Sequence, residues 1–398
     1  MKKVLILFCS VLCLIGCVGN NHQSLFTQQD VQTADVKSAE HISFDISEDS
    51  PINEKYRVDL NDIVSVGDLF SGELIDTMFF VPLQTTPESV IFEPDKIRIS
   101  QDRIYIEDYK FNICIFDRKG NFVNSMTKGN GPGELQSVVA FEFDEKSHQL
   151  VVLQADKYFY YYDIDGHYLE KNTRCPFQTH EFFFTDWGFL FYQSAFANHH
   201  LGDEAKYALL LTDKNMKVLS KGVDVADYGF VRGGSMVFPG KDSIYVSQFL
   251  NDTIYAVSRY NNSDVEVKYI LDYKKSKVVT DKKQEASKFY NNACVMENSQ
   301  TQIFRFWSER NGMCHVVRDK STGKTVGGTR VFSNPDVLPE YFGGLKTVCD
   351  DYFVSYIPSY KEMHFDSRAV SDADNQKIAG RDEEDNYVLA FFKFKAIK

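Results

Sequence analysis

The chain has 398 residues, with 44 Lys and Arg against 56 Asp and Glu, for a formal net charge of −12. That balance argues against nucleic acid, whose phosphates call for a basic surface, and against a polybasic membrane patch. Aromatic residues are abundant, 33 Phe and 22 Tyr, which suits strand-rich sheets packed on one another and leaves room for aromatic platforms that hold sugar rings.

Lys2 and Lys3 precede an apolar run from Val4 to Ile15, too short for a permanent membrane span. The run ends Leu14-Ile15-Gly16-Cys17, which resembles the lipobox of bacterial lipoproteins. The resemblance implies a signal peptide over residues 1–16, lipid attachment at Cys17, and a mature chain with a charge of about −14, because the leader carries two lysines and no acid. Three acyl chains anchor stably where one does not. No acidic pair follows Cys17. Among lipoproteins in which acidic residues behind the cysteine favour surface export, their lack favours the periplasmic face of the outer membrane, with surface exposure left open. Residues 17–51 are polar and without apolar periodicity, and are expected to form a flexible tether. The domain is expected over residues 52–398.

Tyr56–Asp62 (YRVDLND) reads as an isolated strand. From Asp95 to Asn172 one pattern occurs twice: DKIRIS, RIYIED, NICIFD and NFVNSM, then VVAFEFD, QLVVLQAD, YFYYYD and HYLEKN. These short β-branched or aromatic runs are strand-like. Asp117-Arg-Lys-Gly120 and Asp163-Ile-Asp-Gly166 supply turns about 46 positions apart, inside the range of propeller repeats. A small meander with two apolar faces cannot bury both alone, whereas radial stacking hides both and leaves short edges. Weaker copies follow over 179–222, 234–271 and 291–331. A sixth, from Leu345 to Lys395, lacks its fourth strand, which Tyr56–Asp62 is expected to supply. The fold class is therefore all-β: a six-bladed propeller of four-stranded antiparallel blades, closed by an N-terminal strand.

Two segments interrupt the blades. Residues 281–290 carry helix formers after Thr280. Pro358–Asp385 is long and acidic, and is expected to lie over one end of the ring. Cys114, Cys175, Cys294, Cys314 and Cys349 remain after the leader and Cys17, an odd number without metal spacing. Cys114, Cys314 and Cys349 read as small strand residues.

No motif brings a reaction. Gly129-Asn-Gly-Pro-Gly-Glu134 lacks the Lys-Ser/Thr and the helix of a phosphate loop, and reads as a tight interblade crossing. His199-His200 has no metal-ligand spacing and reads as a solvated loop. Gly234-Ser235 is followed by Met-Val, so no nucleophile elbow exists. Glu142, Glu181, Asn291 and Asn292, on or beside inner strands, are the candidate set for calcium in a central channel.

FDRKGNFV, KGNGPGEL and YDIDGHYL together resemble the six-bladed β-propeller lipoproteins of Bacteroidetes, related by architecture to NHL-repeat and TolB-like propellers. DNYVLAFFKFK resembles that family's closing strand, with Tyr387 where Pro is usual, and Val81-Pro82-Leu83 its entry segment. The resemblance implies a fold and a cell-envelope setting, and no catalytic residue. The expected function is a binding or scaffolding surface for a protein or glycan, with no cofactor. The alternative is a metal-dependent, lactonase-like hydrolase or lyase acting at the channel.

Overall fold

The computed structural model describes residues 26–398, apart from 48, 61–63, 66–72, 127, 194–197, 226–236, 241, 249–250, 262–264, 273–288, 309–311, 329–344 and 360–369. Six sheets form a six-bladed β-propeller. Blade one is Pro94–Ile99, Arg103–Asp108, Ile113–Asp117 and Phe122–Ser125; blade two is Val138–Asp144, Gln149–Gln154, Tyr158–Tyr162 and Tyr168–Arg174. Blades three to five follow in the same antiparallel order, beginning at Glu181, Val237 and Phe289. First strands of different blades contact one another, which puts them innermost. Alternate residues of each strand enter the two neighbouring interfaces. Ile97, Ile104 and Ile106 pack toward blade six, whereas Tyr105, Ile113 and Ile115 pack toward blade two.

Ring closure uses a different N-terminal strand from the one expected. Ile75–Pro82 pairs antiparallel with Val388–Phe394 and completes blade six. Arg57–Asp59, inside the stretch expected to close the ring, instead runs parallel to Val265–Asp272 as a fifth strand on blade four. Glu40–Ile42 does the same on blade three and Val64–Ser65 on blade five. The N-terminal segment is thus a belt that covers three outer edges in turn. An uncovered edge offers unpaired amides and carbonyls to other chains. Sequence periodicity does not distinguish a three-residue edge strand from a closing one.

The expected tether must also be corrected from Phe26 onward. Gln28–Ala34 is a helix capped by Thr27 and Asp30. Ala34 and Val36 enter the core between blades two and three. Asp30, 3% exposed, receives Arg174 Nε at 2.6 Å and Nη2 at 2.9 Å. Phe26 stacks on His200 with ring centroids 4.0 Å apart, and a His200 ring nitrogen meets the Pro176 carbonyl at 2.9 Å. His200 is therefore part of the belt's seat and not a solvated loop residue, whereas His199 is exposed.

The acidic insertion is placed differently as well. Its described part contains the helix Asp372–Ile378, with Ile378 buried in the core, and Val370 bridges Met78 on the outer edge of blade six. That part lies alongside the ring, not over its end. Of the segment expected as a helix, 281–288 lie outside the described residues, and Phe289 and Tyr290 open a strand. Cys114 and Cys175 are buried free thiols, and Cys349 is a partly exposed one. The Gly129–Glu134 crossing closes on itself through Gly131 N–H to Glu134 Oε2 at 2.7 Å, and Gly133 lies against Tyr168. Among the described residues no helix is long and apolar enough to cross a membrane.

Candidate binding ledge and channel

The Asp-x-x-Gly turns share one construction. Asp117 Oδ1 accepts from the amides of Lys119 and Asn121, Asp117 Oδ2 accepts from Asn121 Nδ2, and Gly120 takes a φ of 87°. A Cβ at Gly120 would come within 2.2 Å of the Pro82 carbonyl oxygen, so the turn also seats the closing strand. Asp163–His167 repeats the construction, with Gly166 at 84°. Asp213–Lys217 repeats it with Met216 at 68°, whose side chain is buried in the core.

Asp108–Asn112 is a further copy. Asp108 Oδ1 accepts from the Lys110 and Asn112 amides, and Oδ2 from Asn112 Nδ2. Its left-handed position holds Phe111, at φ 60°, with half of the residue in solvent. A bulky residue there is disfavoured by about 1–2 kcal/mol. Met216 recovers that cost through burial; Phe111 does not. The same buried Asp108 carboxylate accepts from the Phe92 amide at 3.1 Å and so sets a second loop beside the turn. Val90, Phe92, Tyr109 and Phe111 are each more than half exposed. Lys110 Nζ lies 4.2 Å from the centre of the Phe92 ring, and the Tyr109 amide donates to the Glu93 carbonyl. The result is an aromatic ledge where the innermost strand of blade one begins.

Asn386 fixes the loop that carries this ledge. Its Nδ2 donates to the Gln84 and Ser89 carbonyls at 2.9 and 2.8 Å, and its Oδ1 accepts from the Ile91 amide at 3.0 Å. Its own carbonyl accepts from Ser359 Oγ and Arg381 Nη2. Tyr387, which stands where the resembled family usually has Pro, donates its hydroxyl to the Phe92 carbonyl at 2.8 Å. The departure from that pattern thus becomes a support of the ledge.

Of the expected calcium set, the structure describes the side chains of Glu142 and Glu181. Glu142 accepts Arg98 Nε at 2.7 Å, and both side chains are nine-tenths buried. Glu181 begins the inner strand of blade three. Asn291 and Asn292 lie at a bulge in the inner strand of blade five, and their side chains fall outside the described residues. Among the described residues no three His, Cys, Asp or Glu side chains group as a metal site. Cys17 also falls outside the described residues. Sequence reading missed Lys96 and Arg98, which look like the polar half of an alternating strand. It also missed the ledge, although Asp-x-x-Phe-Asn where sister turns carry Gly was a visible signal.

The six radial sheets make this a six-bladed β-propeller. The chain belongs to the family described as a domain of unknown function, DUF4934, whose profile matches residues 55–393. It is similar in structure to a Bacteroides fragilis protein described as a candidate exported protein, with a TM-score of 0.69, 19% identity, and 85% of this chain and 99% of that chain covered. A weaker likeness, with a TM-score of 0.40 and 10% identity, is to BamB from Moraxella catarrhalis, covering 80% of this chain and 99% of that one. No curated protein matches the chain.

Proposed function

We propose that the protein is a non-catalytic, lipid-anchored envelope protein that binds glycans on the ledge formed by Phe92, Tyr109 and Phe111. The observation that carries this reading is Phe111, a strained backbone position with an exposed ring, in a turn whose sister copies carry Gly or a buried Met. Strain without a packing return points to use. Exposed aromatic faces stack on the apolar faces of sugars, and Glu93 and Lys110 beside them offer polar contacts to hydroxyls. A protein partner is the lesser reading, because the ledge is small against the ~800 Å² per side of a standard interface.

Phe111→Gly tests it. The change removes one platform and relieves the left-handed strain, so unfolding free energy is expected to stay within about 0.5 kcal/mol of the original. Affinity for the best ligand on a glycan array is expected to fall about fivefold, as for a contact of ~1 kcal/mol. Unchanged glycan affinity would remove the ledge from the proposal.

The anchor is proposed at Cys17, with the outer membrane as the address, and rests on the Leu-Ile-Gly-Cys lipobox. Cys17→Ser is expected to abolish labelling by radioactive palmitate and to release the protein from the membrane fraction. Labelling that survives the substitution would refute the assignment.

A further inference from the structure

The inner strand of blade one turns two cationic side chains toward the interior. Lys96 and Arg98 are two residues apart, hence on one face. Lys96 is partly buried and makes no hydrogen bond or ion pair with any described residue; its ammonium lies 5.3 Å from the centre of the Phe141 ring and 6.0 Å from that of Phe183. Arg98 is 7% exposed. Its Nε donates to Glu142 and its Nη1 to the Ile97 carbonyl at 3.2 Å, whereas the buried Nη2 has no partner. The Arg98 guanidinium carbon lies 5.1 Å from the centre of the same Phe183 ring. Two cationic heads therefore lie near one aromatic ring, each with donors unused. Arg259, which donates to the Phe184 carbonyl at 3.3 Å, lies within the field of Arg98 and Glu142.

An ammonium and a guanidinium withdrawn from water are destabilising unless an anion meets them. Glu142 answers only one of the cations. Glu107, opposite Lys96 in the ladder, and Glu181 are near enough to feel Lys96, yet neither bonds to it. Burial raises the Glu107 carboxyl above its usual range and lowers the Lys96 ammonium below its own, so each is short of a counter-charge in contact with it. Water can satisfy Arg98 Nη2 but supplies no charge.

We infer that a small oxyanion, a carboxylate or phosphate group, binds beside the inner strand of blade one, held by Lys96 Nζ and Arg98 Nη2. The guanidinium fork and the ammonium both match oxygen acceptors carrying negative charge. This site is separate from the ledge and does not depend on it.

The test is calorimetric titration and thermal melting of the purified protein with inorganic phosphate, acetate and chloride at matched ionic strength. Saturable binding of phosphate or acetate, with a melting rise that chloride does not reproduce, is expected. Saturation by phosphate alone assigns a phosphate group, and by acetate alone a carboxylate. Lys96→Met is expected to lose about tenfold in affinity, the scale of one charge-assisted hydrogen bond. Glu142→Gln, which removes the competing carboxylate, is expected to gain affinity. A merely structural cluster would not give these opposite signs. Equal effects of all three anions, or no saturable isotherm with the unaltered protein, would overturn the inference even if the variants fail to fold.

Discussion

Asn386→Ala is expected to lower the free energy of unfolding by about 4 kcal/mol, the larger of two effects expected on stability. Asn386 is 3% exposed and lies at the seam, between the strand Val388–Phe394 and the loop that follows Ile75–Pro82. Its side chain answers the carbonyls of Gln84 and Ser89 and the amide of Ile91. Removing it strands the Ser89 carbonyl and the Ile91 amide, at about 1–3 kcal/mol each before relaxation, whereas the Gln84 carbonyl keeps the Ser89 hydroxyl at 2.9 Å. Asn386→Asp supplies the control. It keeps an acceptor for Ile91 but sets a carboxylate against two carbonyls, so it is expected to be no milder than alanine. Urea unfolding reads the effect as a lower midpoint at unchanged slope. A loss under about 1 kcal/mol would show that the seam does not depend on this residue.

Arg174→Met is expected to loosen the belt while leaving the ring closed. The Asp30 carboxylate is almost wholly buried, and Arg174 is about one-third exposed. The pair is therefore discounted from the 3–5 kcal/mol of a fully buried one to about 2 kcal/mol. Burial works to raise the Asp30 carboxyl, but the hydrogen bonds from Arg174 and Thr27 and the charge of Arg174 outweigh it and hold it below the usual carboxylate range. A depressed carboxyl contributes stability above its unfolded value of about 4, and loses that contribution as pH falls through the folded value. The unaltered belt should thus release in acid, and the Met variant should already be loose at pH 7. Trypsin cleavage after exposed Lys37 is expected to quicken about tenfold or more in the variant, with the main melting transition little changed. Equal cleavage rates would mean that the clasp lies elsewhere.

These two cases also mark how far the sequence could be read. Blades one and two were legible because alternation over five to seven residues and the Asp117 and Asp163 turns repeat the same local chemistry. The closing Asp385-Asn386 stretch was visible as a pattern, though not as the hub that ties loop 83–93 to blade six. The belt was not legible. Glu40–Ile42, Arg57–Asp59 and Val64–Ser65 are two or three residues each, and what selects their pairing is an edge built by residues far away in the chain. Pro358–Asp385 illustrates the same limit: composition marked an acidic excursion, while Val370 and Ile378, both buried in the core, decide that part of it hugs blade six. Lys96 and Arg98 were hidden for a related reason. Their meaning depends on Glu142 and Phe183, contributed by two other blades.

The pairing of Ile75–Pro82 with Val388–Phe394 has a consequence for how the protein comes into being. Synthesis delivers the first of these strands roughly three hundred residues before the second, and closing a loop of that length costs about 5 kcal/mol in chain entropy. Until the last strand is made, the early one has no mate, and the belt strands wait for blades not yet translated. Assembly therefore ends with the two extremities meeting, and any helper that shields exposed strand edges has its longest task at the protein's own beginning.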